Sequence, residues 1–202
     1  LALAGRQSFV VLEARDRVGG RTYNHDLGGG VISEGGGEWI GPGQTAIADL
    51  ARELGIGTFY SYYKGKTVYL AGDAPYAEDL GSGGTATGSE AVRKLNALAR
   101  GVPSAAPWEA ADAAALDSQS LADWMKKHGV GSEETFSLGR STTLTFGAPP
   151  TGVSLLHYLS VVNSSARSIK RLDAMKDGAQ EKRLVGGFQA SNPVIAKDPG
   201  EQ

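Results

Sequence analysis

The chain has 202 residues, 41% hydrophobic and 21% charged, with a formal net charge of -2; this suits a soluble globular fold and gives no electrostatic case for nucleic acid or an anionic membrane as partner. No apolar run approaches the roughly 20 residues of a membrane helix, and the opening residues lack the basic flank and apolar stretch of a signal peptide. Cysteine is absent, which removes disulfides, thiolate metal sites and cysteine nucleophiles and fits a cytoplasmic setting.

Residues 1–5 read as the last turn of a helix, with Gly5 at its cap. Phe9-Val10-Val11-Leu12 is a continuous apolar run, as expected of a strand buried on both faces of a parallel sheet, and it ends on Glu13. Residues 31–34 read as a second strand. Over residues 45–54, Ile47, Leu50, Ala51 and Leu54 fall at i, i+3, i+4 and i+7, the stripe of an amphipathic helix, which Gly55 stops. β-branched and aromatic residues over 58–70 flank Lys64-Gly65-Lys66 and predict a hairpin. A polar Gly/Thr-rich loop comes next at 81–88, then a helix over 90–100 with Val92, Leu95, Leu98 and Ala99 inward. Residues 103–107 read as a linker, with Trp108 anchoring the segment after it. Three more helices are predicted: 118–128, with Leu121, Trp124 and Met125 as its buried stripe, 133–144 and 154–162. Residues 167–183 mix basic and acidic groups, as on a solvated face. No internal repeat is visible.

Glycine is the compositional exception. Its 29 copies are about twice the usual ~7% share and cluster as Gly19-Gly20, Gly28-Gly29-Gly30, Gly35-Gly36-Gly37, Gly41 and Gly43. Such density marks positive φ or backbone passing close to something else, although a flexible loop has the same composition. Glu13 stands where the second strand of a nucleotide-binding βαβ unit carries an acid that accepts both ribose hydroxyls; a glutamate after a strand is also common. Arg15, Arg17 and Arg21 around Gly19-Gly20 combine guanidinium forks with bare amides, which suits a pyrophosphate, or equally a solvated basic turn. His25, His128 and His157 have no metal-like spacing, His128 reads as a cation favourable at a helix end, and no serine sits in nucleophile-elbow surroundings.

Residues 11–22, VLEARDRVGGRT, resemble the second-strand motif of the flavin-containing amine oxidase family. Residues 34–42, EGGGEWIGP, resemble that family's second glycine segment, where the backbone runs beside the flavin. Trp39-Ile40-Gly41-Pro42 followed by Gln44-Thr45 is closer to bacterial monoamine and putrescine oxidases than to L-amino-acid oxidases, whose arginine-bearing segment is absent. The similarity continues through Ala106-Pro107-Trp108, Leu116-Asp117-Ser118 and residues 180–187, nearly the whole chain. Past Gly187 it loosens, and Pro193 stands where a helix would start.

The resemblance implies FAD as cofactor and a small-molecule amine as substrate. Glu13 would bind the adenosine ribose, Arg15 would sit near the adenine, and Gly19, Gly20 and Arg21 would line the pyrophosphate. Gly36, Gly37, Glu38 and Trp39 would approach the isoalloxazine. Leu144, Leu172 and Gln180 are candidate cavity-wall residues; both leucines also fit plain core, and Gln180 also fits the surface. No catalytic residue and no metal ligand is assigned, because the family's flavin-facing lysine, aromatic pair and closing strand belong to a later part of its sequences. The expected fold is α/β. A partial Rossmann-like FAD-binding region over 1–74 lacks the first strand and the G-x-G-x-x-G loop, a mainly helical part of the substrate-binding region spans 75–183, and 184–202 return towards the FAD-binding region. Without the first strand the sheet would expose an edge and an apolar face, so the chain alone is expected to fold poorly and to be inactive unless companion chains complete it; a homo-oligomer is compatible with this. In the whole enzyme, hydride would pass from the carbon bearing a primary amine or polyamine nitrogen to flavin N5. The imine would hydrolyse to aldehyde and ammonia, and oxygen would return as hydrogen peroxide. The alternative is a catalytically silent remnant kept as a binding or structural module. A flavoenzyme with another substrate, as in related desaturases or protoporphyrinogen-type oxidases, is disfavoured by Trp39-Ile40-Gly41-Pro42.

Overall fold

A computed structural model describes residues 12–69, 76–79, 88–165 and 167–191. The expectations for residues 1–5, 9–11, 81–87 and Pro193 lie outside them. The chain divides into two compact units, Leu1–Tyr60 with Lys182–Gln202, and Ser61–Glu181.

In the first unit, β1 (Asn24–Gly28) pairs antiparallel with β2 (Val31–Glu34), with Asn24 opposite Glu34 and a slip in register between Asp26 and Gly28. Gly28, Gly29 and Gly30 all take positive φ, at +84°, +61° and +80°, conformations that a side chain would strain. The glycine triplet is therefore the hairpin turn. Gly41 and Gln44 then launch α1 (Thr45–Glu53): the Gln44 side chain accepts from the Gly41 amide at 2.9 Å. Ala51 packs with Ile40 and Leu184, and Ile47, Ile56 and Phe188 cover this small core.

The hairpin expected over 58–70 is not the pairing found. β3 (Thr58–Tyr60) pairs antiparallel with β6 (Lys182–Leu184), far along the chain, whereas β4 (Lys66–Tyr69) pairs with β5 (Tyr76–Asp79) in the other unit. Lys64-Gly65-Lys66 is not one of the dipeptide turns that drive local hairpins, such as Asn-Gly or Asp-Gly, so the distant strand wins. Every strand pair among the described residues is antiparallel. Leu12, the one described member of the run expected in a parallel sheet, is 90% exposed and outside any strand.

The second unit is mainly helical. α2 (Glu90–Ala99) starts at Ser89, whose hydroxyl accepts from the Val92 amide at 3.1 Å, and it buries Ala91, Val92, Leu95 and Ala99. Leu98, expected inward, lies off this stripe and is exposed. Trp108, expected as an anchor, is exposed in a 3-10 turn over Pro107–Glu109. The helix expected over 118–128 is α4 (Leu121–Lys127), which starts later than expected because Ser120 and Asp123 form its capping box; a short α3 (Ala113–Asp117), not expected, precedes it. α4 buries Leu121, Trp124 and Met125 as expected. α5 (Ser132–Phe146) ends at Gly147 in the left-handed region, and α6 (Leu155–Ser164) starts under the Ser154 hydroxyl. α7 (Ile169–Leu172) is short. α6 carries apolar residues almost all round, and Leu155, Leu159 and Val162 are sealed against side chains from α2, α4 and α5 in one continuous core. Each such side chain stabilises the unit by roughly 1.5–3 kcal/mol. Among the described residues no helix is long and apolar enough to cross a membrane.

Candidate functional site

Two glycine motifs meet in the first unit. At Gly19-Gly20-Arg21-Thr22 the chain turns, with the Thr22 amide and hydroxyl both donating to the Gly19 carbonyl at 2.8 Å. Gly19 and Gly20 have φ of +108° and +51°, and no atom lies within 4 Å of where a Cβ on Gly20 would sit. The second motif runs alongside: the Gly35 amide donates to Tyr23 at 2.7 Å and the Gly37 amide to Arg21 at 3.2 Å. A Cβ at Gly36 would run into the Arg21 carbonyl oxygen, so only glycine allows this approach.

The cations around this turn do not act alike. Arg17 spends its guanidinium on the Gly20 carbonyl at 3.1 Å and on the face of Tyr23, 4.4 Å from the ring centre, which braces the turn. Arg15 and Arg21 are exposed. Glu13 is also exposed, and its carboxylate accepts from the Arg15 amide at 2.9 Å. Open backbone at Gly20 with Arg21 beside it is an arrangement able to take an anion.

At the other end of the glycine segment lies a polar knot. Arg183 donates from Nε and Nη2 to Glu34 Oε2 at 2.9 and 2.6 Å, and its Nη2 is 3.2 Å from Glu38 Oε2. Glu34 Oε1 accepts from the Phe188 amide at 2.8 Å, and the Glu34 side chain is 3% exposed. Burial pushes the Glu38 carboxyl above the usual carboxylate range; Arg183 pulls it down and the charge on Glu34 adds to the rise. Ile40 exchanges backbone hydrogen bonds with Lys182 in both directions, 2.8 and 3.0 Å. Trp39, between Glu38 and Ile40, is 37% exposed. Asn24 donates to the Gly186 carbonyl at 2.8 Å, and its amide donates to Gln189 Oε1 at 2.6 Å.

Arg183 corrects the expectation that basic residues of 167–183 form a solvated face. The available signal is the pair Glu34 and Glu38 bracketing three glycines, since two carboxylates drawn into a packed segment require a cation. The candidate cavity residues lie in the helical unit. Leu172 belongs to its apolar core, Leu144 is 70% exposed on α5 and is not core, and Gln180 is half-buried, its amide bonded to Ala174. His128 ends α4 stacked on Trp124, with ring Nδ1 2.8 Å from the Trp124 carbonyl.

The family described as flavin containing amine oxidoreductase matches residues 1–192. A Mycobacterium tuberculosis protein assigned as a flavin-containing monoamine oxidase is 37% identical over 95% of this chain and 43% of its own length. Putrescine oxidase of Kocuria rosea is 33% identical over 100% of this chain and 43% of its own. A solved putrescine oxidase structure, from a redesign of its cofactor binding, superimposes on 94% of this chain and 43% of that one with a TM-score of 0.79 at 29% identity. The chain thus spans less than half the length of the relatives it matches.

Proposed function

Because the chain belongs to the flavin-containing amine oxidoreductase family, whose cofactor is FAD, we propose that it supplies flavin-binding surface to an oxidase of primary amines or polyamines. The observation that carries this reading is the meeting of the two glycine motifs, with Gly35 and Gly37 bonded to Tyr23 and Arg21 and no room for a side chain at Gly36. The residues fit the cofactor: the open backbone at Gly20 can accept a pyrophosphate, and the nearby guanidinium of Arg21 matches its charge. Glu13, Arg15, Gly19, Gly20 and Arg21 would hold the ADP half. Gly36, Gly37, Glu38 and Trp39 would meet the isoalloxazine end.

When bound, FAD supplies the redox chemistry, the transfer of hydride from the carbon bearing the amine and of electrons onward to oxygen as hydrogen peroxide. The chain's own residues contribute position and field. Glycine backbone gives the ligand close approach, and Trp39 offers a rigid partly exposed aromatic face. Glu38, held high in pKa by burial, keeps a carboxyl where a proton can reside. Of the cavity candidates, Leu144 and Gln180 retain surface that a substrate could meet, whereas Leu172 is committed to the core.

The likeness to putrescine oxidase supports a diamine or other primary amine as substrate. The test is peroxide release by the purified oxidase that contains this chain, across a panel of mono-, di- and polyamines. Peroxide with at least one primary amine is expected; bound FAD with no peroxide from any of them would refute the assignment.

A further inference from the structure

The second glycine segment has no side chains of its own to hold it in place. It is held from its ends. Glu34 precedes the glycines and Glu38 comes after them, and the Arg183 guanidinium reaches both carboxylates. Glu34 is almost fully buried and takes two bonds from Arg183 and one from the Phe188 amide. Arg183 is itself fixed, since it lies opposite Phe59 in the β3–β6 ladder. A rigid planar fork anchored in a strand can fix two carboxylates at once, which a flexible ammonium does less well.

We propose that Arg183 is a positioning residue for the flavin: acting through Glu34 and Glu38, it sets the path of the Gly35-Gly36-Gly37 backbone. The inference rests on the reading that this segment runs beside the isoalloxazine. It differs from two simpler roles. A purely structural ion pair lowers stability without altering the bound flavin. A guanidinium that attracts the cofactor's phosphates from a distance acts independently of Glu34.

The experiment compares wild type, Arg183→Met, Arg183→Lys, Glu34→Gln and the Arg183→Met/Glu34→Gln double variant of the protein as isolated. FAD affinity is read by quenching of flavin fluorescence, the environment of the bound flavin by its visible spectrum, and the segment by amide hydrogen exchange over 34–40 without FAD. Exchange over α6 serves as the control for folding. Arg183→Met is expected to weaken FAD binding about tenfold, within the range of coupled contacts, and to speed exchange at Gly35 and Gly37 while α6 stays protected. Arg183→Lys recovers only part of the loss. In the Glu34→Gln background, Arg183→Met is expected to weaken affinity by clearly less than its tenfold effect in wild type, because only the contact with Glu38 is left to lose. Unchanged affinity, spectrum and exchange in Arg183→Met would overturn the inference, as would losses for the two single variants that simply multiply. If wild type binds no FAD, the flavin reading fails and the positioning role with it, while exchange over 34–40 still shows whether Arg183 clamps the segment.

Discussion

In the helical unit, buried apolar side chains from α2, α4, α5 and α6 form one continuous core, whereas the described residues of the other unit gather only Ile40, Ala51 and Leu184 into a buried apolar cluster. Order in that second case comes from directional contacts: backbone bonds between Arg21, Tyr23 and the glycine segment, the β3–β6 ladder, and the Glu34–Arg183–Glu38 knot. The difference is the one expected if the first unit presents the proposed flavin-binding surface. Apolar packing is non-directional and needs no gap, so it suits a scaffold. A surface that offers bare amides to a ligand must leave backbone uncovered, and it is held by hydrogen bonds and charge instead.

This contrast can be broken in several places. The largest effect is expected in the helical core, where Leu159, fully buried on α6, should cost about 2–5 kcal/mol on substitution by alanine; the shift in the urea midpoint measures it. A loss under about 1 kcal/mol would show that the core is looser than its burial implies. Gly36→Ala should cost less in stability and more in ligand binding. Its Cβ displaces the Arg21 carbonyl and loosens the two adjoining backbone bonds, each worth about 1 kcal/mol. The variant should lose flavin on gel filtration.

The matching glycine change in the other unit should go the opposite way. Gly139 sits inside α5, and an added Cβ would meet Pro150 Cγ at an ordinary 3.7 Å. Gly139→Ala is therefore expected to stabilise by about 0.5–1 kcal/mol through helix propensity, seen as a higher Tm. The smallest effect is pH-dependent and concerns Glu38. Its native carboxyl titrates above the unfolded one, so the native state holds a proton that the unfolded chain has already released. The associated stability is complete below the unfolded carboxylate range and declines as pH rises through the native value. Glu38→Gln, which cannot ionise, should thus gain stability relative to wild type between about pH 4 and pH 7. Tm differences at the two pH values check the sign, and a relative loss at the higher pH would mean that Arg183 outweighs burial.

Local pattern is enough for the elements whose reasons are local. The stripe of Ile47, Leu50 and Ala51 marks α1, Leu121, Trp124 and Met125 mark the buried face of α4, and Val31–Glu34 reads as a strand and is one. The hairpin turn at the glycine triplet and the choice of Ser120 over Ser118 as the cap of α4 depend on local signals too weak to rank against their neighbours. The pairing of β3 is not legible in the sequence because its partner lies more than a hundred residues away, and no local turn announces it. Leu98 and Trp108 depart from expectation because an apolar residue at a helix edge is inward or outward only by what packs beside it.

The sequence by itself determined the family, through short runs in which residue identity and spacing are both constrained, and with the family it determined the cofactor. It also named the glycines and acids over 34–38 as a set worth watching. The tertiary structure decided which of them touch: Gly36 against the Arg21 carbonyl, Glu34 and Glu38 on Arg183, and Leu172 in a core while Leu144 faces outward. The physical reason is range. Helix stripes, caps and motifs are written within a few residues, but a buried carboxylate finds its cation only when a distant strand is brought alongside, and that is a property of the folded chain.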